Sequence, residues 1–190
     1  MATNKVEFGI SNLHVGTFTV GDGGAVTMGT PYHLPGAKNF APEQDASNNV
    51  FYADDMAYWS EYSEGAFEGD LEVALFTDEF KTQFLGYRTT ADGGLGQVKN
   101  AVKPNVYIAF DIKGDKEGRR AIFYNCSLGS IAREYATIEE EKEPTTEKIG
   151  VTCIGDNATG LTKVTFKPGD AGYDTLYSNP SAPAFPNEGE

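Results

Sequence analysis

Cysteine and histidine are both scarce in this chain of 190 residues, which holds two of each. A structural zinc site takes four such ligands at short spacings, and Cys126 and Cys153 form no CxxC pair. We therefore expect no metal site and no bound cofactor. The two cysteines are interpreted as buried free thiols, because an unpaired cysteine behaves as a small core hydrophobe. A disulfide between them is the alternative.

Long apolar runs and an excess of basic residues are also missing. No run approaches the roughly 20 apolar residues of a membrane span, and the N-terminal residues lack a signal peptide's apolar core. Lys and Arg number 15 against 28 Asp and Glu, a formal net charge of -13. Since proteins that bind DNA or RNA tightly neutralise phosphates with Lys and Arg, the composition argues against that function. The acidity indicates either solubility alone or a surface that must not adhere to a polyanion.

Recognised catalytic motifs are absent as well. The chain contains no GxSxG, no HExxH and no GxxxxGK[ST]. His14 and His33 are interpreted as structural residues. Asp54 and Asp55 are neighbours, which in an extended segment point to opposite sides, so a turn is favoured over a carboxylate pair or a calcium site. The sequence predicts a protein without enzymatic activity.

The pattern that dominates the sequence is alternation with a period of two, which is typical of half-buried strands. It occurs in residues 5–10, 13–20, 25–28, 69–76, 106–112, 119–126, 148–154 and 161–166. In residues 69–76, Leu71, Val73 and Leu75 are predicted to face inward and Asp70 and Glu72 outward. These segments predict a mostly β fold, either a β-sandwich or a partial barrel.

Three other segments complete the predicted organisation. A short flanking helix is expected from an N-cap at Thr77 or Asp78 to Leu85, with Gly86 ending it. Residues 38–66 are predicted as a long, aromatic-rich loop, either a partner-binding loop or one folded over its own core. Residues 1–177 are expected to form a single domain, and residues 178–190 a proline-containing tail that is extended or disordered.

Several segments, taken in order, resemble the major tail protein family of Gram-positive siphophages, the phi13-type tail tube proteins. The resemblance covers roughly residues 6–154. Its segments are Val6–His14, Met28–Pro31, Leu34–Ala37, Phe51–Asp55, Gly69–Leu75, Phe84–Gly86, Val106–Phe110 and Ala121–Asn125.

This resemblance implies a structural virion protein: a β-sandwich with a flanking helix whose copies close into rings, expected to be hexameric. In that family the rings stack into a tail tube, and inner strands of six subunits form one β-barrel. DNA passes through its lumen during ejection without specific binding. The implied partners are further copies of the chain, a tape measure protein and a tail terminator. No membrane is involved, and assembly is expected in the host bacterial cytoplasm.

Two groups of residues are assigned to this assembly. Subunit or inter-ring contacts are predicted for Phe51, Tyr52, Asp54, Asp55, Tyr58 and Trp59. Asp70, Glu72 and Asp111 are the candidates for acidic charge on the lumen or the surface. The alternative function is a monomeric carbohydrate-binding module whose exposed Tyr58, Trp59 and Tyr62 contact a sugar.

Overall fold

The computed structural model describes residues 9–53, 56–135 and 145–186, which hold twelve strands and two helices. The strands are β1 Gly9–Val20, β2 Val26–Met28, β3 Tyr32–His33, β4 Ala37–Phe40, β5 Glu43–Ala53, β6 Met56–Val73, β7 Arg88–Thr89, β8 Leu95–Gly96, β9 Val106–Lys113, β10 Arg120–Arg133, β11 Glu147–Cys153 and β12 Lys163–Phe166. The helices are α1 Asp78–Leu85 and α2 Ala171–Thr175. The predicted mostly β fold with a short helix is confirmed.

Ten of these strands form one antiparallel sheet. Its main path runs β2-β1-β9-β10-β11-β6-β4, with β3 paired to β1, β12 to β10 and β5 to β6. Strands β7 and β8 form a separate ribbon. Because β1 and β4 contact each other from distant places along the path, the sheet curls into a partial barrel.

The inside of the barrel holds the main apolar core. Alternate side chains of β1, β6, β9, β10 and β11 meet there, among them Leu71, Val73 and Ile149. The inward prediction for Leu71 and Val73 is therefore confirmed. The prediction for Leu75 is wrong, because β6 ends at Val73 and Leu75 is 52% exposed where the chain turns towards α1.

Helix α1 packs on this core and has the predicted ends. Thr77 accepts a hydrogen bond from the Phe80 amide at 3.2 Å, which satisfies one of the unpaired N–H groups of the first turn. Gly86 ends the helix in the left-handed conformation, with φ 69°. Phe80 and Phe84 are fully buried. Within the described ranges, no helix is long and apolar enough to cross a bilayer.

A second apolar cluster lies on the other face of β1, β9 and β10, where the C-terminal residues cover the sheet. Phe18, Tyr107, Ile122 and Tyr124 pack there around Leu176. Strand β9 is thus buried on both faces, whereas alternation predicted burial of one. Helix α2 was not expected, because five residues are too few for a helical pattern. Residues 178–186 contain neither helix nor strand.

The largest difference from the sequence prediction concerns residues 38–66. They were predicted as a loop, but they form β4, β5 and most of β6. Strands β5 and β6 pair as a long hairpin from Glu43 opposite Glu68 to Ala53 opposite Met56. The aromatic residues of this region therefore lie on regular strands.

The free-thiol interpretation of the cysteines is also wrong. Cys126 on β10 lies directly opposite Cys153 on β11, with their Cα atoms 3.9 Å apart, and the two form a disulfide. Both side chains are fully buried. The bond joins two central strands inside the core.

The two histidines come together beneath the C-terminal residues. His14 lies opposite His33, with ring centroids 5.0 Å apart, and Tyr177 stacks on His14 at 4.3 Å. His14 Nδ1 donates to the Asn12 carbonyl at 2.9 Å. The pKa of His14 is lowered, mainly by burial. The charges of His33 and Arg120 also lower this pKa, whereas the hydrogen bond with Asn12 and the charge of Asp111 raise it by less.

The lowered pKa of His14 predicts that mild acid destabilises the fold. The unfolded chain binds this proton near the ordinary value of 6.5, whereas the folded chain resists it. Stability is therefore greatest above that pH and falls as the pH drops through it towards the folded pKa. Thermal unfolding of wild type and His14→Gln at a series of pH values should show a shallower decline for the variant. Equal declines would contradict the prediction.

The inward face of β6 gives a second prediction. Leu71→Asp buries an unpaired carboxylate in the core and should cost about 3–5 kcal/mol, which removes most soluble protein. Leu75→Asp is the matched control, because its side chain is exposed on the same segment. Soluble yield and urea unfolding of both variants measure the effect, and a stable Leu71→Asp protein would refute the assigned register.

Candidate assembly surface

The β5–β6 hairpin extends away from the core. Strand β6 has 18 residues, and from Phe67 to Val73 it pairs with β11. From Met56 to Ala66 its only partner among the described residues is β5. A two-stranded ribbon alone is marginally stable in water. The outer part of the hairpin therefore needs a surface to pack against.

Large apolar side chains cover this ribbon. Phe51 and Trp59 form a cross-strand pair and are 59% and 51% exposed. Tyr52, Tyr58 and Tyr62 are also exposed, as is Met56 at the end of the hairpin. Asp54 and Asp55, the two remaining contact candidates, lie outside the described residues. Exposed apolar clusters of this kind mark interaction sites.

The register shows how these aromatic rings are distributed. Phe51 pairs with Trp59 and Asn48 with Tyr62, in an unbroken stretch of the ladder. Since side chains three positions apart on a strand lie on opposite faces, Trp59 and Tyr62 point to opposite sides. They do not form one flat platform for a sugar.

Within the ten-stranded sheet, β5, β6, β11 and the second half of β10 are consecutive neighbours; this section, called the four-stranded sheet below, has a polar outer face. Glu68 lies opposite Thr152, Asp70 opposite Gly150, and Glu72 opposite Lys148. Residues of these strands surround a shallow depression of about 720 Å³. The other face carries Leu71 and its apolar neighbours, so one face of these strands is buried in the core and the other is exposed to solvent.

Negative charge dominates this surface. Residues 43–73 contain nine Asp and Glu and no Lys or Arg. Glu72 is the exception in having cationic neighbours: Lys38 Nζ donates to it at 2.8 Å, and Lys148 Nζ lies at 3.9 Å. The hydrogen bond from Lys38, with a second from Thr146, lowers the pKa of Glu72. Asp70 is exposed and has no ion pair among the described residues.

Asp111, the third acidic candidate, lies elsewhere. On β9 it accepts hydrogen bonds from Arg120 Nε at 3.0 Å and from the Tyr177 hydroxyl at 2.7 Å. It thus holds the C-terminal residues on the barrel and is not part of the acidic sheet face. In the described part of the chain, no three His, Cys, Asp or Glu side chains are grouped to bind a metal ion.

The two lateral edges of the four-stranded sheet lack strand partners within the described ranges. β5 pairs with β6 alone. Strand β10 pairs with β9 up to Cys126, and from Ser127 to Arg133 it pairs with β11 alone. The alternation predicted a strand ending at Cys126, because a bulge between Leu128 and Ile131 interrupts the period afterwards. Sequence reasoning therefore missed this edge.

A groove of about 550 Å³ runs beside the unpaired edge of β10. It is lined by Gly129, Ser130 and Ile131 on one side and by residues 97–101 and Lys103 on the other. Unpaired edges are templates for another strand. The sheet thus offers one such edge at each side, separated by four strands of the same chain.

A family model described as phage tail tube protein matches residues 1–148. The chain belongs to the phage tail tube protein family. The match covers most of the chain and includes the β5–β6 hairpin with its acidic residues and the β10 edge. A tail tube protein is a structural component of the phage tail and not an enzyme, in agreement with the sequence prediction.

Two solved structures are similar to this chain at low identity. The anti-feeding prophage cap, a tube-terminating cap, is 11% identical with a TM-score of 0.43, over 87% of this chain and 96% of that one. The PVC sheath-tube complex of an extracellular contractile injection system is 10% identical with a TM-score of 0.44, over 82% and 88%. No curated protein matches the chain.

The family match ends inside β11, so this tail tube protein carries further elements. Residues 149–153 complete β11, which is bonded to β10 through Cys126–Cys153. Strand β12 and helix α2 follow; Val164 and Phe166 of β12 pack against the second apolar cluster on the outside of the sheet, as do Leu176 and Tyr177 directly after α2. The C-terminal part is therefore integrated with the tail tube domain up to at least Tyr177.

Proposed function

We propose that copies of this chain join edge to edge into rings that stack into the tail tube of a long-tailed phage. The observation that carries the proposal is the four-stranded sheet with a free edge at β5 and another at β10. Pairing of β5 in one copy with β10 in the next satisfies both edges. Repeated around a ring of six, as the family resemblance implies, it closes one barrel to which each copy contributes four strands.

The polar face of the sheet then lines the lumen. Glu68, Asp70 and Glu72 of β6 lie on this face, and residues 43–73 contain no Lys or Arg, so DNA phosphates meet repulsion. Asp70, which has no ion pair among the described residues, supports this assignment best. Salt screens this repulsion beyond roughly 10 Å, so it acts only close to the wall. At that short range it prevents the DNA from adhering. DNA in transit is thus kept from binding the wall.

The outer part of the hairpin extends beyond the ring and contacts the next one. Phe51, Tyr52, Tyr58 and Trp59 supply the apolar area for this contact, since each is more than half exposed in a single copy. A tape measure protein inside the tube and a terminator at its end complete the proposed assembly, which takes place in the host bacterial cytoplasm before the tube enters the virion.

Cysteine cross-linking tests the lateral contact. Cysteines are introduced at Ala46, Asn48 or Val50 on β5, each combined with one at Ser130 or Ala132 on β10. We expect at least one pair to give oxidised ladders that end at a single closed species, whose mass gives the ring number. The native cysteines do not interfere, because they are already bonded to each other.

The control for this experiment places the second cysteine at Glu79, which is exposed on α1 and belongs to neither edge strand. It should give no ladder. Electron microscopy of the wild-type protein at high concentration supplies the independent readout. Protein that stays monomeric by sedimentation, with no ladder from any pair, would refute the ring.

The hairpin contact gives a separate prediction. Trp59→Ala should leave rings intact but raise the concentration needed for tube growth by about tenfold or more, because buried aromatic residues dominate such interfaces. Phe185→Ala is the matched control, since Phe185 is as exposed as Phe51 but lies in the C-terminal residues. Tube length is measured by electron microscopy; equal lengths for the two variants would contradict the stacking contact.

A further inference from the structure

The free edge of β10 is occupied by a lysine from its own chain. Lys103 lies three residues before β9, where the chain has left the β10 ladder. Its Nζ donates to the carbonyl of Leu128 at 3.1 Å and also to the carbonyl of Gly129. Both carbonyls belong to the part of β10 that has only β11 as a strand partner.

The environment of this ammonium group is partly dry. Lys103 is half-buried, and its burial lowers the pKa of the amine. Two backbone carbonyls compensate for the lost water, and the salt bridges of the described residues do not include Lys103. The Lys103 ammonium group therefore takes its hydrogen-bond acceptors from the β10 edge, and the Leu128 and Gly129 carbonyls take their donor from Lys103.

An incoming strand must use the same backbone atoms. A new ladder on β10 needs its outward carbonyls to accept N–H groups from the added strand. Carbonyls already bonded to Lys103, with the side chain lying across them, are poor acceptors for a second strand. Charged side chains at an edge are a common protection against unwanted strand pairing.

We propose that Lys103 guards the β10 edge in the unassembled subunit and gives it up when strand β5 of a second copy pairs there. The inference rests on the proposed ring and adds to it a control over when the ring forms. The groove beside the edge provides room for the displaced side chain. The arriving hairpin brings Glu43, Asp45 and Glu64 without any Lys or Arg, so the released ammonium meets carboxylates.

This role of Lys103 affects both the concentration at which subunits pair and the strand with which they pair. Subunits whose edges are guarded remain apart at concentrations where unguarded ones would pair at random. Assembly then requires a partner that offers both a strand and negative charge, which β5 does. The guard thus favours the β5–β10 contact over non-specific aggregation.

The experiment compares Lys103→Met with Lys99→Met. Lys99 lines the same groove but, in the described part of the chain, forms no hydrogen bond with β10. The critical concentration for ring formation is measured by sedimentation and light scattering. We expect Lys103→Met to assemble at a concentration about tenfold lower than wild type, and Lys99→Met at the wild-type value.

Two further variants keep the test decisive. Lys103→Gln removes the charge with a smaller change in polarity and should lie between wild type and Lys103→Met. Lys103→Arg keeps the charge and the donors and should retain the wild-type threshold. Thermal unfolding of each monomer checks that the subunit remains folded, so that a lower threshold is not aggregation of unfolded chains.

The outcomes separate the guard from the ring. Assembly of all variants at the wild-type concentration, or a higher threshold for Lys103→Met, overturns the role of Lys103 and leaves the ring in place. Failure of every protein, wild type included, to assemble overturns the ring and this inference together. A lower threshold for Lys103→Met and a smaller decrease for Lys103→Gln, with Lys103→Arg and Lys99→Met at the wild-type value and unfolding temperatures unchanged, support both.

Discussion

Backbone hydrogen bonding along β6 is the constraint on which the rest of this structure depends. The strand is long enough to serve two environments: from Phe67 to Val73 it lies in the partial barrel, and from Met56 to Ala66 it has β5 as its described partner. Peptide groups in a folded chain need partners from protein or water. The core half finds them within the chain, while β5 leaves its outer edge to water or to another copy. One strand thus contributes to the core of the fold and also holds the hairpin edge at which another copy could add.

The charge distribution follows the same division. Where the chain can compensate an acid, it does so locally: Glu72 beside Lys38, Asp111 beside Arg120, and buried Glu147 at 3.3 Å from Arg133 and 3.8 Å from Lys81. Along the hairpin no such cations exist, because residues 43–73 contain none. Uncompensated negative charge therefore lies on the element that also has unpaired edges. Solubility alone would not require that coincidence, since acidic residues anywhere on the surface serve it equally well.

Sequence reasoning succeeded where one chain supplies the whole environment of a residue. Thr77 and Gly86 bound α1 because caps act locally, and Leu71 and Val73 alternate because one side of β6 is dry. It failed where the environment depends on distant pairing. The Cys126–Cys153 bond requires the β10–β11 register, which no local pattern contains. The β10 edge was missed because a bulge after Leu128 breaks the period, and both faces of β9 are buried only because the C-terminal residues return over the sheet.

The failure at residues 38–66 has a different cause. Alternation marks a strand because one face is buried in the same chain, yet the outer part of this hairpin has aromatic and polar residues on both faces. Trp59 and Tyr62 point to opposite sides, so neither side shows the contrast that a strand pattern needs. Such a sequence is irregular for a monomer but consistent for a ribbon whose two faces and outer edge are buried by other copies. In an assembling protein, a long segment rich in aromatics and without period is therefore a candidate for a strand completed by its partners. At the opposite edge, where Lys103 Nζ donates to the Leu128 carbonyl, the proposed guard would let the single chain control access to such pairing.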